Sequence, residues 1–303
     1  MSAPSESAAG SRLLTVVAWG AMLLVSELPE IVIQHAGGRA PGWLAGAKIA
    51  FLVLFTGLTL ASRALRPLLH YAVVLFTLFA ALGAAGLVRT TAWFQERFNY
   101  QGVPFFTGYA ALFVLDIAVA AAVLGVLWLL KKRRQEFFLA VGDLKAPIEP
   151  VPWLGIRRPE PWPKFAVIFG VVAGLCVLVP TLIGLKPSGE LLLRALPLLP
   201  ACLVLAAVNA FTEEAYFRAS ILSTLLGPLG RGHALLVCVV LFGLAHYLHG
   251  SPPGIPGAAM TGFLAYLMGK AMLETRGMLW PWLIHVIPDV VIFFTYALLY
   301  VRG

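Results

Sequence analysis

Runs of about twenty apolar residues recur along almost the whole chain and constrain its fold more than any other feature. They lie at residues 13–33, 43–62, 67–88, 104–130, 165–185, 191–212, 233–249, 257–274 and 279–301. About 20 apolar residues cross the hydrocarbon of a bilayer as a helix, and a single helix satisfies its own backbone hydrogen bonds there. The sequence therefore predicts an all-α fold, a polytopic integral membrane helix bundle with about 8–9 transmembrane helices.

The composition agrees with a membrane protein and excludes several other classes. Of 303 residues, 60% are hydrophobic and 12% are charged, whereas soluble domains carry about 25% charged residues. Disordered and collagen-like chains are excluded. The three cysteines lie inside apolar runs, which argues against a disulfide framework or a cysteine-based metal site.

The net charge of +8 comes from basic residues that lie mostly between the apolar runs. Basic residues in such positions orient membrane helices. We therefore expect the chain to interact with a lipid bilayer and not with nucleic acid. With the N-terminus in the cytoplasm, most Lys and Arg residues fall on the cytoplasmic side, led by the run 131–134. We predict a multi-pass protein of the cell membrane with a cytoplasmic N-terminus. The first apolar run is interpreted as a retained helix and not as a signal peptide.

A proline-rich segment divides the chain. Residues 143–163 (DLKAPIEPVPWLGIRRPEPWP) contain six prolines, which exclude a regular helix. We predict N-terminal membrane helices at 1–134, a cytoplasmic linker at 135–163 and a second membrane domain at 164–303. Trp153 and Trp162 are expected at the membrane interface.

Ionisable residues inside the apolar runs need an explanation, because a charge at the bilayer centre costs about 2.5–3.5 kcal/mol. The candidates are Glu27, Glu30, His70, Asp116, Glu213, Glu214, Arg218, His246, His285 and Asp289. We expect Glu27 and Glu30 to line a polar notch or contact a neighbouring helix, and Asp116 to bond to a Ser, Thr or Tyr. The last six lie in the C-terminal hundred residues and form three groups.

The first group is Glu213–Arg218, with the pattern EExxxR. At about 100° per helical residue, Glu214 and Arg218 lie on one face and can pair. Glu213 then points elsewhere, where a carboxylate suits a general base acting on water. The alternative is an interfacial ion pair that ends a helix.

The other two groups place imidazoles on later helices. Phe242 and His246 are four residues apart, as are His285 and Asp289. We predict that Glu213 and His246 hold one water molecule, with Phe242 lining the same pocket. His285 would donate to an anionic tetrahedral intermediate, with Asp289 either protonated and donating or orienting His285. The alternative for each group alone is a polar contact between packed helices.

The ordered set EExxxR, FxxxH and HxxxD on late membrane helices resembles the CPBP family, the intramembrane glutamic endopeptidases that include type II CAAX prenyl proteases and bacteriocin-processing proteins. The motif residues are Glu213, Glu214, Arg218, Phe242, His246, His285 and Asp289, and the resemblance covers about residues 164–300.

The resemblance implies hydrolysis of a peptide bond in or beside the membrane, without a metal or other cofactor. It implies that Glu213 and His246 activate water, that His285 and Asp289 form an oxyanion site, and that Glu214 and Arg218 hold the helix. The implied substrate is a membrane-associated peptide or protein, prenylated or carrying a sorting tag. Asp289 departs from the Asn of the prenyl-protease branch and favours another branch of the family.

Three other functions stay open from the residues alone. A zinc protease would use His246, His249 and His285 with a Glu ligand, although the sequence contains no HExxH motif. A transporter would be expected to show inverted repeats and broken helices at matching places. The third is a non-catalytic immunity or scaffold protein.

Overall fold

The computed structural model describes residues 5–99, 102–250 and 252–302, and helices dominate them. The helices of the first half are α1 (Ser5–Val25), α2 (Leu28–His35), α3 (Leu44–Ala61), α4 (Leu69–Arg89), α5 (Ala92–Phe98) and α6 (Phe105–Leu129). Those of the second half are α7 (Trp162–Leu185), α8 (Gly189–Ala195), α9 (Leu199–Glu213), α10 (Ser220–Ala245), α11 (Ile255–Thr275) and α12 (Leu279–Arg302). The predicted all-α membrane fold is confirmed.

Six helical segments of the described residues are long and apolar enough to cross a membrane, or seven if a bent pair counts as one span. One of them runs for 57 residues, Gly189–Ala245, and contains the predicted span 191–212 and most of the predicted span 233–249. A helix rises about 1.5 Å per residue, so this segment is much longer than one crossing needs. It is interrupted at Gly230, whose φ of 73° is not helical. The helix α11 covers the predicted span 257–274 but is not among the six.

The predicted span 13–33 is broken into α1 and α2, which meet at an angle of 59°. Pro29 near the start of α2 has no N–H to continue the hydrogen-bond ladder of α1. The Ser26 hydroxyl donates to the Leu23 carbonyl at 2.9 Å and accepts the Leu28 N–H at 3.2 Å. Ser26 therefore satisfies backbone groups that the bend would leave without a helical partner. We refer to residues 26–28 as the α1–α2 elbow.

The chain forms two compact units. The first comprises Met1–Gly83, Ala122–Phe137 and Tyr216–Lys270, and the second comprises Ala84–Ala121, Phe138–Ala215 and Ala271–Gly303. Each unit therefore draws on both halves of the sequence. The division at residues 134 and 163 expected from composition stays a prediction.

The proline-rich segment folds as a small hairpin in the second unit. Its strands β1 (Pro147–Ile148) and β2 (Glu160–Pro161) are antiparallel. The Glu274 carboxylate accepts the Trp162 indole N–H at 2.8 Å and the Glu149 backbone N–H at 3.2 Å. Trp162 is fully buried inside the protein, and its expected place at the membrane interface stays a prediction. An acceptor for its N–H inside the protein makes burial of the ring possible.

Close packing of α7 against α12 organises the second unit. Gly170 and Gly174 in α7 face Ile287 of α12, and a Cβ atom at Gly170 would overlap the Ile287 side chain. At Gly174 a Cβ atom would lie 3.1 Å from the same side chain. Small residues four apart let membrane helices approach closely. These two glycines and Ile287, which we call the glycine seam, line the close contact between α7 and α12.

Two ion pairs account for charges in the N-terminal spans. Lys48 Nζ lies 2.6 Å from Glu30 and donates to the Ser26 carbonyl at 2.6 Å, all in the first unit. Arg89 lies 2.6 Å from Asp116 in the second unit. The expected Ser, Thr or Tyr partner of Asp116 is therefore wrong, because a full charge compensates a carboxylate away from water better than a hydroxyl does.

Candidate active site

The paired glutamates lie where α9 changes its helical geometry. Glu213 is the last residue of α9, and Glu214 opens a π-helical turn that runs to Ala219. In a π-helical turn a backbone N–H bonds to the carbonyl five residues earlier, and such turns are frequent at functional sites. The uniform spacing of about 100° per residue assumed from sequence does not hold here. The Glu214 side chain is fully buried, whereas 16% of the Glu213 side chain is exposed.

His285 of α12 lies among three carboxylates of the second unit. Its Nδ1 is 2.8 Å from Glu214 Oε1. Its Nε2 is 3.5 Å from Glu213 Oε2 and 3.7 Å from Asp289 Oδ1. An ionised carboxylate only accepts, so Nδ1 carries the proton and donates to Glu214. The structure thus brings together four of the predicted site residues.

Asn209 of α9 is a fifth member of this cluster that sequence analysis missed. Its amide donates to Asp289 Oδ2 at 2.9 Å. Asp289 is therefore oriented by Asn209 on one oxygen, while the other oxygen faces His285. Asn209 lies four residues before Glu213 in an apolar helix, which places both side chains on one face. That spacing is the signal that could have identified it.

The geometry suits a small polar group shared by several side chains. His285 Nε2 and Glu213 Oε2 are 3.5 Å apart, which is too long for a good hydrogen bond between them. One oxygen atom at about 2.8 Å from each would hydrogen-bond to both. The cluster can therefore offer a carboxylate acceptor and an imidazole donor to the same oxygen atom.

The second group of predicted residues lies in the first unit. The Arg218 guanidinium carbon is 4.4 Å from the centre of the Phe242 ring, close enough for a cation–π interaction. Arg218 is completely buried. The Phe242 and His246 rings are 4.4 Å apart between centroids. Phe242 therefore contacts both Arg218 and His246.

His246 follows the last residue of α10 and has a defined tautomer. Its Nδ1 is 2.8 Å from the Phe242 carbonyl oxygen. A carbonyl only accepts, so Nδ1 carries the proton. In the neutral ring Nε2 is then the nitrogen that accepts a proton. His249, by contrast, exposes 78% of its side chain and lies 3.9 Å from Glu27.

Three expectations about these residues stay predictions: the Glu214–Arg218 pair, the water shared by Glu213 and His246, and the placement of Phe242 in that pocket. Among residues 5–99, 102–250 and 252–302, no group of three or more His, Cys, Asp or Glu side chains is arranged to hold a metal ion.

Comparison with known families finds one match. The family model for type II CAAX prenyl endopeptidase Rce1-like proteins matches residues 195–291. The matched segment is less than half of the chain and contains every motif residue named above. No curated protein and no solved structure gives a significant match.

The family match confirms the resemblance to the CPBP and CAAX protease family. The long apolar helices are those of a multi-pass membrane protein, and residues 195–291 are similar to this protease family.

Proposed function

We propose that the chain is an intramembrane endopeptidase that hydrolyses a peptide bond of a membrane-associated or lipid-modified protein with a water molecule activated by Glu213. The supporting observation is the position of His285, whose two nitrogens face Glu214 on one side and Glu213 with Asp289 on the other. Neither a helix-packing contact nor an isolated ion pair requires three carboxylates around one imidazole.

In this proposal Glu213 removes a proton from water as the water oxygen attacks the scissile carbonyl carbon. The carbonyl oxygen then becomes an oxyanion that needs a donor. His285 Nε2 supplies one when it carries a proton. Glu214 orients the ring by accepting a hydrogen bond from the Nδ1–H of His285. Asn209 orients Asp289 by donating a hydrogen bond to it. Breakdown of the tetrahedral intermediate requires a proton for the leaving amine, which the protonated Glu213 can return.

His246 is proposed to assist the proton transfer. Its Nδ1–H is engaged by the Phe242 carbonyl, so in the neutral ring Nε2 is the nitrogen that accepts a proton. The aspartate at position 289 supports a substrate other than a prenylated C-terminus. The proposed location is the cell membrane, with the N-terminus in the cytoplasm.

The central experiment compares peptide termini in the membrane proteome of cells that carry either the wild-type chain or Glu213→Gln. The substitution removes the base but keeps the shape of the side chain, so it should abolish one set of termini and leave membrane insertion unchanged. Glu190→Gln is the matched control, because Glu190 is an exposed glutamate in the same unit. It should give the wild-type set.

Identical termini with Glu213→Gln and with the wild type would refute the proposed base. Purified wild-type protein treated with a strong zinc chelator should keep its full rate, because the proposed mechanism uses no metal. Loss of the rate on chelation and its return with zinc would favour a zinc protease instead.

A further inference from the structure

The residues that directly follow His246 are attached to the N-terminal helices of the first unit. We propose that His35 and Tyr247 form a positioning pair that sets the place of the His246 ring, an inference that rests on the proposed function. His35 ends α2, far from the family's motifs in sequence, and Tyr247 is the chain neighbour of His246.

The contact between the two side chains has a defined direction. His35 Nδ1 lies 2.9 Å from the Ile31 carbonyl oxygen, so this nitrogen carries a proton and donates. Nε2 of the neutral ring is then an acceptor. The Tyr247 hydroxyl lies 3.1 Å from His35 Nε2 and is the donor. The two rings also meet edge to face at 5.8 Å. His35 is thus fixed by its own helix and in turn holds Tyr247.

The α1–α2 elbow contacts the next two residues of the same turn. Glu27 Oε1 lies 3.9 Å from His249 Nε2, and the Glu27 carboxylate also interacts with the backbone N–H of Leu248. Three consecutive residues after His246 are therefore held by the elbow and by α2. A bend in a membrane helix frees backbone groups, which must then find other partners. Here the bend presents a carboxylate to the turn.

The turn itself leaves little room for His246 to adjust. A Cβ atom at Gly250 would overlap the His246 carbonyl oxygen. The Tyr247 carbonyl accepts the Gly254 N–H at 2.6 Å, and the His246 N–H bonds to the Gly243 carbonyl at 3.1 Å. Adjacent Cα atoms are fixed about 3.8 Å apart. A shift of Tyr247 is therefore passed on to His246 and is not absorbed by the loop.

The test uses substitutions at the two ends of the contact. Tyr247→Phe removes the donor and keeps the ring, while His35→Leu removes the acceptor. His35→Gln keeps an acceptor oxygen and should retain the activity that is lost in His35→Leu. We expect Tyr247→Phe and His35→Leu to lower kcat about three- to tenfold, with KM changed less than about twofold. The double variant should equal the single ones, because all three lose the same hydrogen bond.

A second measurement does not depend on cleavage. Diethyl pyrocarbonate modifies neutral imidazoles, and mass spectrometry of the intact protein's peptides gives the rate at His246. We expect this rate to change at least about threefold in Tyr247→Phe and His35→Leu, and to stay at the wild-type value in His35→Gln. Trp19→Phe is the control. It removes another aromatic contact to a histidine, Trp19 Nε1 to His233 Nδ1 at 3.4 Å, and should leave His246 unchanged.

A wild-type rate of His246 modification in Tyr247→Phe would overturn the proposal that the pair positions His246. A His35→Gln variant with the same modification rate and kcat as His35→Leu would overturn it as well. A parallel loss of thermal stability in all variants, with equal kcat per folded molecule, would also overturn it. Wild-type cleavage by Glu213→Gln would refute the proposed function alone, and the labelling rates would still decide the role of the pair.

Discussion

The hydrogen bond from Asn209 to Asp289 makes a quantitative prediction for the second unit. Asn209→Ala removes the amide that donates to Asp289 Oδ2 at 2.9 Å. Asp289 exposes only 7% of its side chain, so water can replace the lost donor only in part. The substitution therefore weakens the link between α9 and α12 and leaves Asp289 less well oriented toward His285.

The expected magnitude follows from the location of the bond. Side-chain hydrogen bonds between membrane helices average about 0.6 kcal/mol and reach about 1.7 kcal/mol. A charged acceptor makes such a bond roughly twice as strong as a neutral one. We therefore expect a coupling free energy of about 1–2 kcal/mol between Asn209 and Asp289. If all of this energy served to orient Asp289 in the transition state, kcat would fall about five- to thirtyfold in Asn209→Ala, because about 1.4 kcal/mol corresponds to tenfold.

A double-mutant cycle of reversible unfolding in detergent measures this coupling. It uses Asn209→Ala, Asp289→Ala and the double variant. The control cycle uses Thr181 and Thr295, whose hydroxyls are 3.3 Å apart between α7 and α12. This neutral and longer contact should give less than about 0.6 kcal/mol. A coupling for Asn209 and Asp289 no larger than the control, together with wild-type kcat in Asn209→Ala, would refute the argument.

Three further predictions concern stability and the hairpin. Gly170→Leu should destabilise the second unit by about 1–3 kcal/mol because its side chain would overlap Ile287, while Gly170→Ala should cost less; equal melting temperatures would contradict this. Arg89→Met should lower the free energy of unfolding by about 1–3 kcal/mol, because it leaves the Asp116 carboxylate without its charged partner. Adding Asp116→Leu should restore part of this loss in thermal unfolding, and no recovery would argue against the pair. Glu274→Ala removes the acceptor of the Glu149 N–H in the hairpin loop and of the Trp162 indole N–H that follows the hairpin. Trypsin should then cleave the hairpin loop faster, whereas an unchanged cleavage rate would show that other contacts hold the hairpin in place.

The sequence predicts which residues matter more reliably than it predicts their partners. The helical fold class and the family resemblance follow from apolar run length and ordered motifs, because both are properties of the linear chain. The bond from His285 to Glu214 could not be predicted, since it joins α12 to the start of a π-helical turn. A helical wheel assumes one constant angle per residue, and this turn violates that assumption at the glutamates.

Apolar patterning also hides interruptions inside long runs. The bend between α1 and α2 lies within a run that looks like one span, and only Ser26 and Pro29 mark it. Likewise, Asn209 is one amide in an apolar helix, and nothing in the linear chain shows that Asp289 faces it. Partners separated by 80 residues depend on how helices pack, which local sequence does not specify.

The glycine seam has a consequence for how a substrate can enter. Ile287 lies two residues from both His285 and Asp289, so at about 100° per residue it points roughly 160° away from each. With Ile287 packed against Gly170 and Gly174, α12 contacts α7 on the face opposite these two site residues. We therefore expect a peptide to enter on the other face of α12, while α7 and α12 stay packed together. A covalent cross-link between these two helices should therefore be compatible with turnover.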